Sequence, residues 1–421
     1  MERSGLNPVE MLALQAREAA PLLGEAGDDR IDAALDALES ALRRNMDAIL
    51  AENRADIRAA QEKQLPASMI DRLTLSPDRI DAIAKSIAAI RALDNPCGRV
   101  LEEWTRPNGM KIRKITVPIG VLGMIYESRP NVTLDAAALA LKSRNAVILR
   151  GGSESFRTSK FLHGLIATAL KENNLPESCV SFVDDTDRAR VGEMLAAAGL
   201  IDVIIPRGGK GLTGRVMSEA KMPVFAHLDG NCHLYVHKDA DAEKTLAVIG
   251  NAKLRRLGIC GALESLLLDE ALDKDFCTRI FHMLLDAGVM IAGDDVARSL
   301  HPAIGAATEE DWRAEYLDKK ISVKFVVGVD EAVRHINHYG SHHTDGILSE
   351  DKDSAAAFLA KVDSAIVTHN ASTQFADGGE FGFGAEIGIG TGKLHARGPV
   401  GVRQLVTFKY QILGDGHIRP L

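Results

Sequence analysis

Between Gly120 and Thr368, short apolar runs alternate with stretches of helical character, and this rhythm constrains the fold more than any other feature of the chain. Residues 121–126 read as a strand, 134–142 as a helix and 146–149 as a strand. A helix over about 154–171, a strand at 180–183, a helix near 191–198 and a strand at 201–205 continue the pattern, which resumes after His233. Strands that are apolar throughout and separated by helices belong to a parallel sheet covered on both faces. The 421 residues are enough for two such α/β domains in succession.

The chain ahead of this rhythm is helical. Ile31, Leu35, Leu38, Leu42, Ile49, Leu50 and Ile57 recur at helical spacing from Asp28 to about Gln64. Ser76-Pro77 opens another helix, with a capping hydroxyl followed by a proline at the first helical position. Next comes Pro107-Asn108-Gly109, flanked by Trp104-Thr105-Arg106 and by residues 111–117. Asn-Gly is a strong hairpin signal, and the flanks largely alternate apolar with basic side chains. An exposed β-ribbon is expected. Such an arm needs a partner strand, so it implies oligomerisation.

Composition removes several classes of function. With 46% hydrophobic and 26% charged residues the chain is not a disordered one. The net charge of −8, from 50 basic and 58 acidic residues without long blocks, argues against nucleic acid or an anionic membrane as main partner. No apolar run approaches the ~18 residues of a bilayer span. Met1-Glu2-Arg3-Ser4-Gly5 lacks the features of a secretory signal. Five widely separated cysteines with no C-x-x-C pair fit a reducing compartment, so a cytoplasmic location is expected.

Three groups of residues could carry chemistry. Gly209-Lys210-Gly211-Leu212-Thr213-Gly214 matches G-x-G-x-x-G after a predicted strand, where backbone amides could hold a phosphate beside Lys210 and Arg207. The plainer reading is a glycine-rich turn. Cys260 lies between Gly258 and Gly261, downstream of Arg255 and Arg256; glycines admit a substrate and cations favour the thiolate. Most free cysteines are simply small buried residues, and Cys97, Cys179 and Cys277 read that way, leaving Cys232 as the one rival. His335, His338, His342 and His343 crowd together, but helix and turn divide them and no metal site is expected.

Longer motifs then read together. They are Tyr126-Glu127-Ser128-Arg129-Pro130-Asn131-Val132-Thr133, Pro206-Arg207-Gly208-Gly209-Lys210-Gly211 and His227-Leu228-Asp229-Gly230-Asn231-Cys232-His233. Ser341-His342-His343-Thr344-Asp345, Asn370-Ala371-Ser372-Thr373, Asp377-Gly378-Gly379-Glu380-Phe381-Gly382 and Lys393-Leu394-His395-Ala396-Arg397-Gly398-Pro399 complete the set. Over nearly its whole length the chain resembles the γ-glutamyl phosphate reductases, or glutamate-5-semialdehyde dehydrogenases, of the aldehyde dehydrogenase superfamily. The resemblance implies an α/β fold: a Rossmann-like cofactor domain (1–100 and 118–228), an α/β catalytic domain (229–399), and ribbon elements for oligomerisation (101–117 and 400–421). The implied activity is NADPH-dependent reduction of L-glutamyl 5-phosphate to the semialdehyde, the second step of proline biosynthesis from glutamate. A dimer or tetramer and functional coupling to glutamate 5-kinase are implied as well.

Carried over residue by residue, the resemblance makes Cys260 the nucleophile, with the Asn131 amide and the Cys260 N–H as oxyanion donors. Arg150 falls where a cation could pair with the cofactor's 2′-phosphate; Ser153, Arg207, Gly208, Gly209, Lys210 and Gly211 are the other implied cofactor residues, and Glu315 resembles the glutamate on the nicotinamide ribose. Arg129, Ser372, Thr373, Gly378, Gly379 and Glu386 are the implied substrate residues, with Glu386 facing the ammonium. His227 stands where hydrolytic relatives carry a Glu base, which suits a thioester that is reduced and not hydrolysed. Leu257, Gly261 and Gln374 depart from Pro, Asn and Arg. The competing readings are a hydrolytic or CoA-acylating aldehyde dehydrogenase and a non-catalytic scaffold of the same fold.

Overall fold

The computed structural model describes residues 5–419, so the reading of Met1 to Ser4 lies outside the described residues. The chain forms two compact units, Met1–Ala226 with Gly382–Gly388 and Val400–Leu421, and His227–Phe381 with Ile389–Pro399.

In the first unit the expected helical region holds five helices, Pro8–Glu25, Asp28–Arg44, Met46–Glu62, Ala67–Leu73 and Pro77–Arg91. The long periodic signal from Asp28 is two helices broken at Asn45. Pro8–Glu25 starts from a capping box between Asn7 and Glu10, and its buried stripe is Val9, Ala13, Ala16, Ala19 and Leu23. A stripe made mostly of alanine gives a weak apolar signal, which is why the periodicity stands out only from Asp28. Ser76 accepts the Arg79 N–H, as its position before Pro77 predicts.

A four-stranded parallel sheet follows, in the order Val180–Phe182, Ala146–Arg150, Val121–Tyr126, Val203–Arg207. From the strand Val121–Tyr126 the chain moves outward through two strands, then returns to that strand's other side. The order therefore reverses beside Val121–Tyr126, and at such a switch point the carboxyl ends of the strands open a crevice. Register puts Arg150 opposite Ile125 and Arg207 opposite Tyr126, at that carboxyl edge. The hairpin is present as Val100–Thr105 and Lys111–Pro118, turned at Gly109 with φ +86°, and Val406–Leu413 pairs antiparallel with the second strand. Val100, Leu101, Trp104, Phe408, Tyr410 and Ile412 are exposed on this ribbon.

The second unit is built on seven parallel strands, ordered Gly305–Ala306, Met290–Gly293, Lys320–Val326, Leu263–Asp269, Cys232–Val236, Thr344–Leu348, Ile366–His369. Leu234, Leu266, Leu268, Phe281 and Val323 are among the buried residues of its core. The expected continuous stretch 229–399 is interrupted, because Gly382–Gly388 packs with the first unit. Backbone bonds between Ile387 N–H and Val400 C=O and between Val400 N–H and Gly388 C=O, each 2.8 Å, tie that segment to the returning chain. Among the described residues no helix is long and apolar enough to cross a membrane.

Candidate active site

Cys260 lies in a turn between the helix Ala242–Leu254 and the strand Leu263–Asp269. Asp241 caps the helix by accepting the Lys244 N–H. Across the loop, fully buried Lys253 and Glu264 pair at 2.7 Å, and the second Glu264 oxygen accepts the Leu317 N–H at 3.0 Å. Burial is the main cause that pushes the Glu264 carboxyl up to about 7, against the pull of Lys253. One acidic side chain thus fixes both ends of the cysteine loop and the segment that carries Glu315.

Gly230 lies directly under the cysteine. A Cβ there would stand 2.7 Å from both the Cys260 Cα and its carbonyl carbon, and closer still to the oxygen. The Gly230 N–H donates to Glu315 Oε1 at 2.8 Å, and Cys232 Sγ donates to the Cys260 carbonyl at 3.1 Å. On the other flank, Thr373 Oγ1 donates to the Gly261 carbonyl at 2.7 Å. The Gln374 amide donates to the Ala252 and Arg256 carbonyls, and its oxygen accepts from Arg255 Nη1 at 3.3 Å. Gln374, a departure from the family pattern, therefore ties down the loop that presents Cys260.

Cys260 is partly exposed, whereas burial pushes the other thiols up: Cys97 and Cys277 to about 11, Cys179 to about 12, and Cys232 well above the ordinary range. Thr373, expected to hold substrate, is fully buried, and its hydroxyl donates to the Gly261 carbonyl. Ser372 is buried as well and accepts the Gln374 N–H at 3.2 Å. The Gly379 N–H donates to Asp377 Oδ1 at 2.8 Å, in an exposed turn that follows buried Gly378.

In the first unit, Arg150 is buried and its Nη2 donates to the Thr186 and Asp187 carbonyls at 3.1 and 3.4 Å, while its Nε has no partner. Ser128, held at φ +40°, has a buried Oγ that is also unpartnered. Two unsatisfied polar atoms beside the carboxyl edge of the sheet suit an anionic, hydroxyl-rich ligand, so these residues fit a dinucleotide. Ser153 is exposed and donates to Glu154 Oε1 at 3.1 Å.

The glycine turn differs from an open phosphate cradle. The Gly209 N–H donates to Glu127 Oε2 at 2.9 Å, and a Cβ on Gly208 would meet the same oxygen at 2.6 Å. Lys210 and Gly211 are exposed in the first turn of the helix Lys210–Glu219. Glu386 also lies in this unit, with Oε1 3.8 Å from Arg207 Nη2, so a protein cation already faces it. Arg129 is partly buried ahead of the helix Asn131–Lys142. Asn131 Nδ2 donates to Asp135 at 3.0 Å; burial pushes that carboxyl up to about 6, with Asn131 and Arg207 opposing. An amide has two hydrogens, and Asp135 takes one.

The four crowded histidines do not converge. His335 packs against Trp312 and Tyr339, His338 Nε2 accepts from Arg313, and His342 Nδ1 meets the Asp363 carbonyl. His343 instead packs its ring edge-on to His227, with centroids 4.9 Å apart.

The aldehyde dehydrogenase family pattern matches residues 26–316. The chain is 52% identical to the γ-glutamyl phosphate reductase of Rhodopseudomonas palustris over 97% of its length and 95% of the relative's. The chain belongs to the γ-glutamyl phosphate reductase family, within the aldehyde dehydrogenases. It is also 54% identical to the Methylocella silvestris reductase, over 96% of this chain and 95% of that one. The crystal structure of the Thermotoga maritima reductase superposes with a TM-score of 0.96 at 42% identity, covering 98% of this chain and 100% of that chain. The α/β fold with parallel sheets is therefore that of the reductase family.

Proposed function

We propose that this chain reduces L-glutamyl 5-phosphate to L-glutamate 5-semialdehyde with release of phosphate, using NADPH, as a step of proline biosynthesis. The observation that carries the mechanism is the presentation of Cys260, a partly exposed thiol on a loop fastened at both ends. Its sulfur attacks the acyl carbon, the bond from that carbon to the oxygen it shares with phosphorus breaks, and phosphate leaves with that oxygen and the electron pair. The Asn131 amide hydrogen not taken by Asp135 and the Cys260 N–H are the oxyanion donors of this reading. NADPH, when bound, supplies the hydride that the thioester carbon receives. Carbon–sulfur cleavage then frees the aldehyde and regenerates the thiolate. His227 in place of a glutamate base leaves no carboxylate at that position to activate water.

The test is phosphate-dependent reduction of NADP by glutamate semialdehyde. Turnover without phosphate would favour a hydrolytic enzyme, and dependence on CoA an acylating one.

Arg150 is the proposed clamp on the 2′-phosphate, and Ser153 is one of the other proposed cofactor residues. Arg150→Ala is expected to raise KM for NADPH about tenfold or more beyond its effect on NADH, because a charge-assisted hydrogen bond contributes ~1.5–3 kcal/mol. Equal effects on both cofactors would assign Arg150 to the fold.

The ribbon is proposed to pair with a second copy of the chain, as a dimer or tetramer. Exposed Trp104 and Tyr410, with ring centroids 6.3 Å apart, give its face apolar contact area. The double variant Trp104→Lys, Tyr410→Lys is expected to sediment as a monomer while keeping its circular dichroism. An unchanged mass would rule the ribbon out as the interface. Five free cysteines support the cytoplasmic part of the proposal. Coupling to glutamate 5-kinase is proposed on chemical grounds, since an acyl phosphate hydrolyses in water unless it is passed on promptly.

A further inference from the structure

We propose that Cys260, His227 and His343 form a binding site for a soft divalent cation, zinc being the best match. One ligand atom from each lies within 4.8 Å of the other two. Tetrahedral zinc, with bonds of roughly 2.0 Å to nitrogen and 2.3 Å to sulfur, sets its ligands roughly 3.3–3.7 Å apart. The three groups therefore need to close by no more than about 1.5 Å, which rotation of the partly exposed Cys260 side chain can supply.

The His227 tautomer favours coordination. His227 Nδ1 lies 2.8 Å from the Ile389 carbonyl, which can only accept, so that nitrogen carries the proton and Nε2 keeps the lone pair. A ligand histidine held through its other ring nitrogen is the usual support around protein-bound metals. His343 is fully buried, and its Nε2 has no hydrogen-bond partner, while Nδ1 lies 2.9 Å from Thr344 Oγ1. A buried ring nitrogen without a partner is costly, and a cation would satisfy it. Two imidazoles and a thiolate select zinc over magnesium or calcium, which prefer oxygen. The fourth position is left to water or an anion.

Coordination replaces the Cys260 thiol proton, which passes to solvent, and no electrons are transferred. Coordination draws electron density from the sulfur and places the metal and its fourth ligand beside it, so attack on an acyl carbon is slowed. Zinc is therefore an inhibitor; this consequence rests on Cys260 as the nucleophile, whereas the binding site itself does not.

The experiment uses the full chain, stripped by a chelator, with cobalt(II) as the spectroscopic probe and zinc as its competitor. One cobalt per chain is expected, with a thiolate-to-cobalt charge-transfer band that zinc abolishes and Cys260→Ser lacks. His227→Gln and His343→Gln should each weaken binding by at least about tenfold. His343 is buried, so if its variant misfolds the partly exposed His227 carries the test. Zinc should also block alkylation of Cys260, and EDTA should restore it. Absence of the band at stoichiometric cobalt, or unaltered affinity in the histidine variants that fold, overturns the site. A missing band alongside an inactive Cys260→Ala would remove the metal site and leave the nucleophile standing. A band alongside an active Cys260→Ala would do the reverse.

Discussion

Cys260→Ala is expected to lower kcat by at least about 10⁴-fold while NADPH binding changes little. Losing a nucleophile removes a whole covalent route and not merely one contact, so the loss should approach that seen for other nucleophile deletions. The proposed cofactor residue Arg150 lies in the first unit and Cys260 in the second, which keeps the two readouts separable. Iodoacetamide at neutral pH should label Cys260 ahead of the other four thiols. Burial holds those four above the normal range, so each carries very little thiolate near pH 7. Cys232 is the informative control, because it lies against the Cys260 carbonyl yet is fully buried. Faster labelling of Cys232, with activity lost in step, would transfer the role to it.

What the sequence disclosed about this site was local, and what it concealed was long-range. The strands Val121–Tyr126 and Ala146–Arg150 announce themselves because a buried parallel strand needs apolar residues on both faces. The hairpin at Asn108-Gly109 is legible because its turn demands a residue with positive φ, and Gly109 supplies it. Cys260 is nominated by its glycine neighbours and assigned by resemblance. Partner choice has no such local signature. Nothing in the sequence around Thr373 announces that its hydroxyl meets the Gly261 carbonyl. Nor does anything in the sequence around Glu386 announce that the segment Gly382–Gly388 returns to the first unit and brings that carboxylate near Arg207. The G-x-G-x-x-G turn reads as a phosphate site, but Glu127, far away in sequence, bonds one of its amides. His343 stands among neighbouring histidines in sequence, yet its ring packs on His227, because adjacent parallel strands join distant residues.

Gly230 bears on the proposed reaction through the side chain it lacks. Replacing it with alanine puts a methyl group 2.7 Å from the Cys260 Cα and carbonyl carbon, well inside contact distance. Both are backbone atoms, so no rotamer change relieves the clash, and either the cysteine loop or the strand start at Cys232 must move. Overpacking of this kind costs about 1–3 kcal/mol, which lowers Tm without preventing folding. The catalytic cost is larger, since a displacement of about 1 Å at a reacting group can cost ~10²-fold in rate. Gly230→Ala is thus expected to lose at least about 10²-fold in kcat while remaining folded by circular dichroism. The same shift would disturb the Gly230 N–H bond to Glu315 and the Cys232 bond to the Cys260 carbonyl. Two nearby glycines supply the gradation. A Cβ on Gly261 would lie 3.1 Å from the Thr373 carbonyl oxygen, so Gly261→Ala should be intermediate. On Gly258 it would meet nothing within 4 Å, so Gly258→Ala should be close to wild type. Measuring kcat and Tm for the three variants tests the order, and a Gly230→Ala enzyme as active as Gly258→Ala would mean that Cys260 is not held in place by this contact.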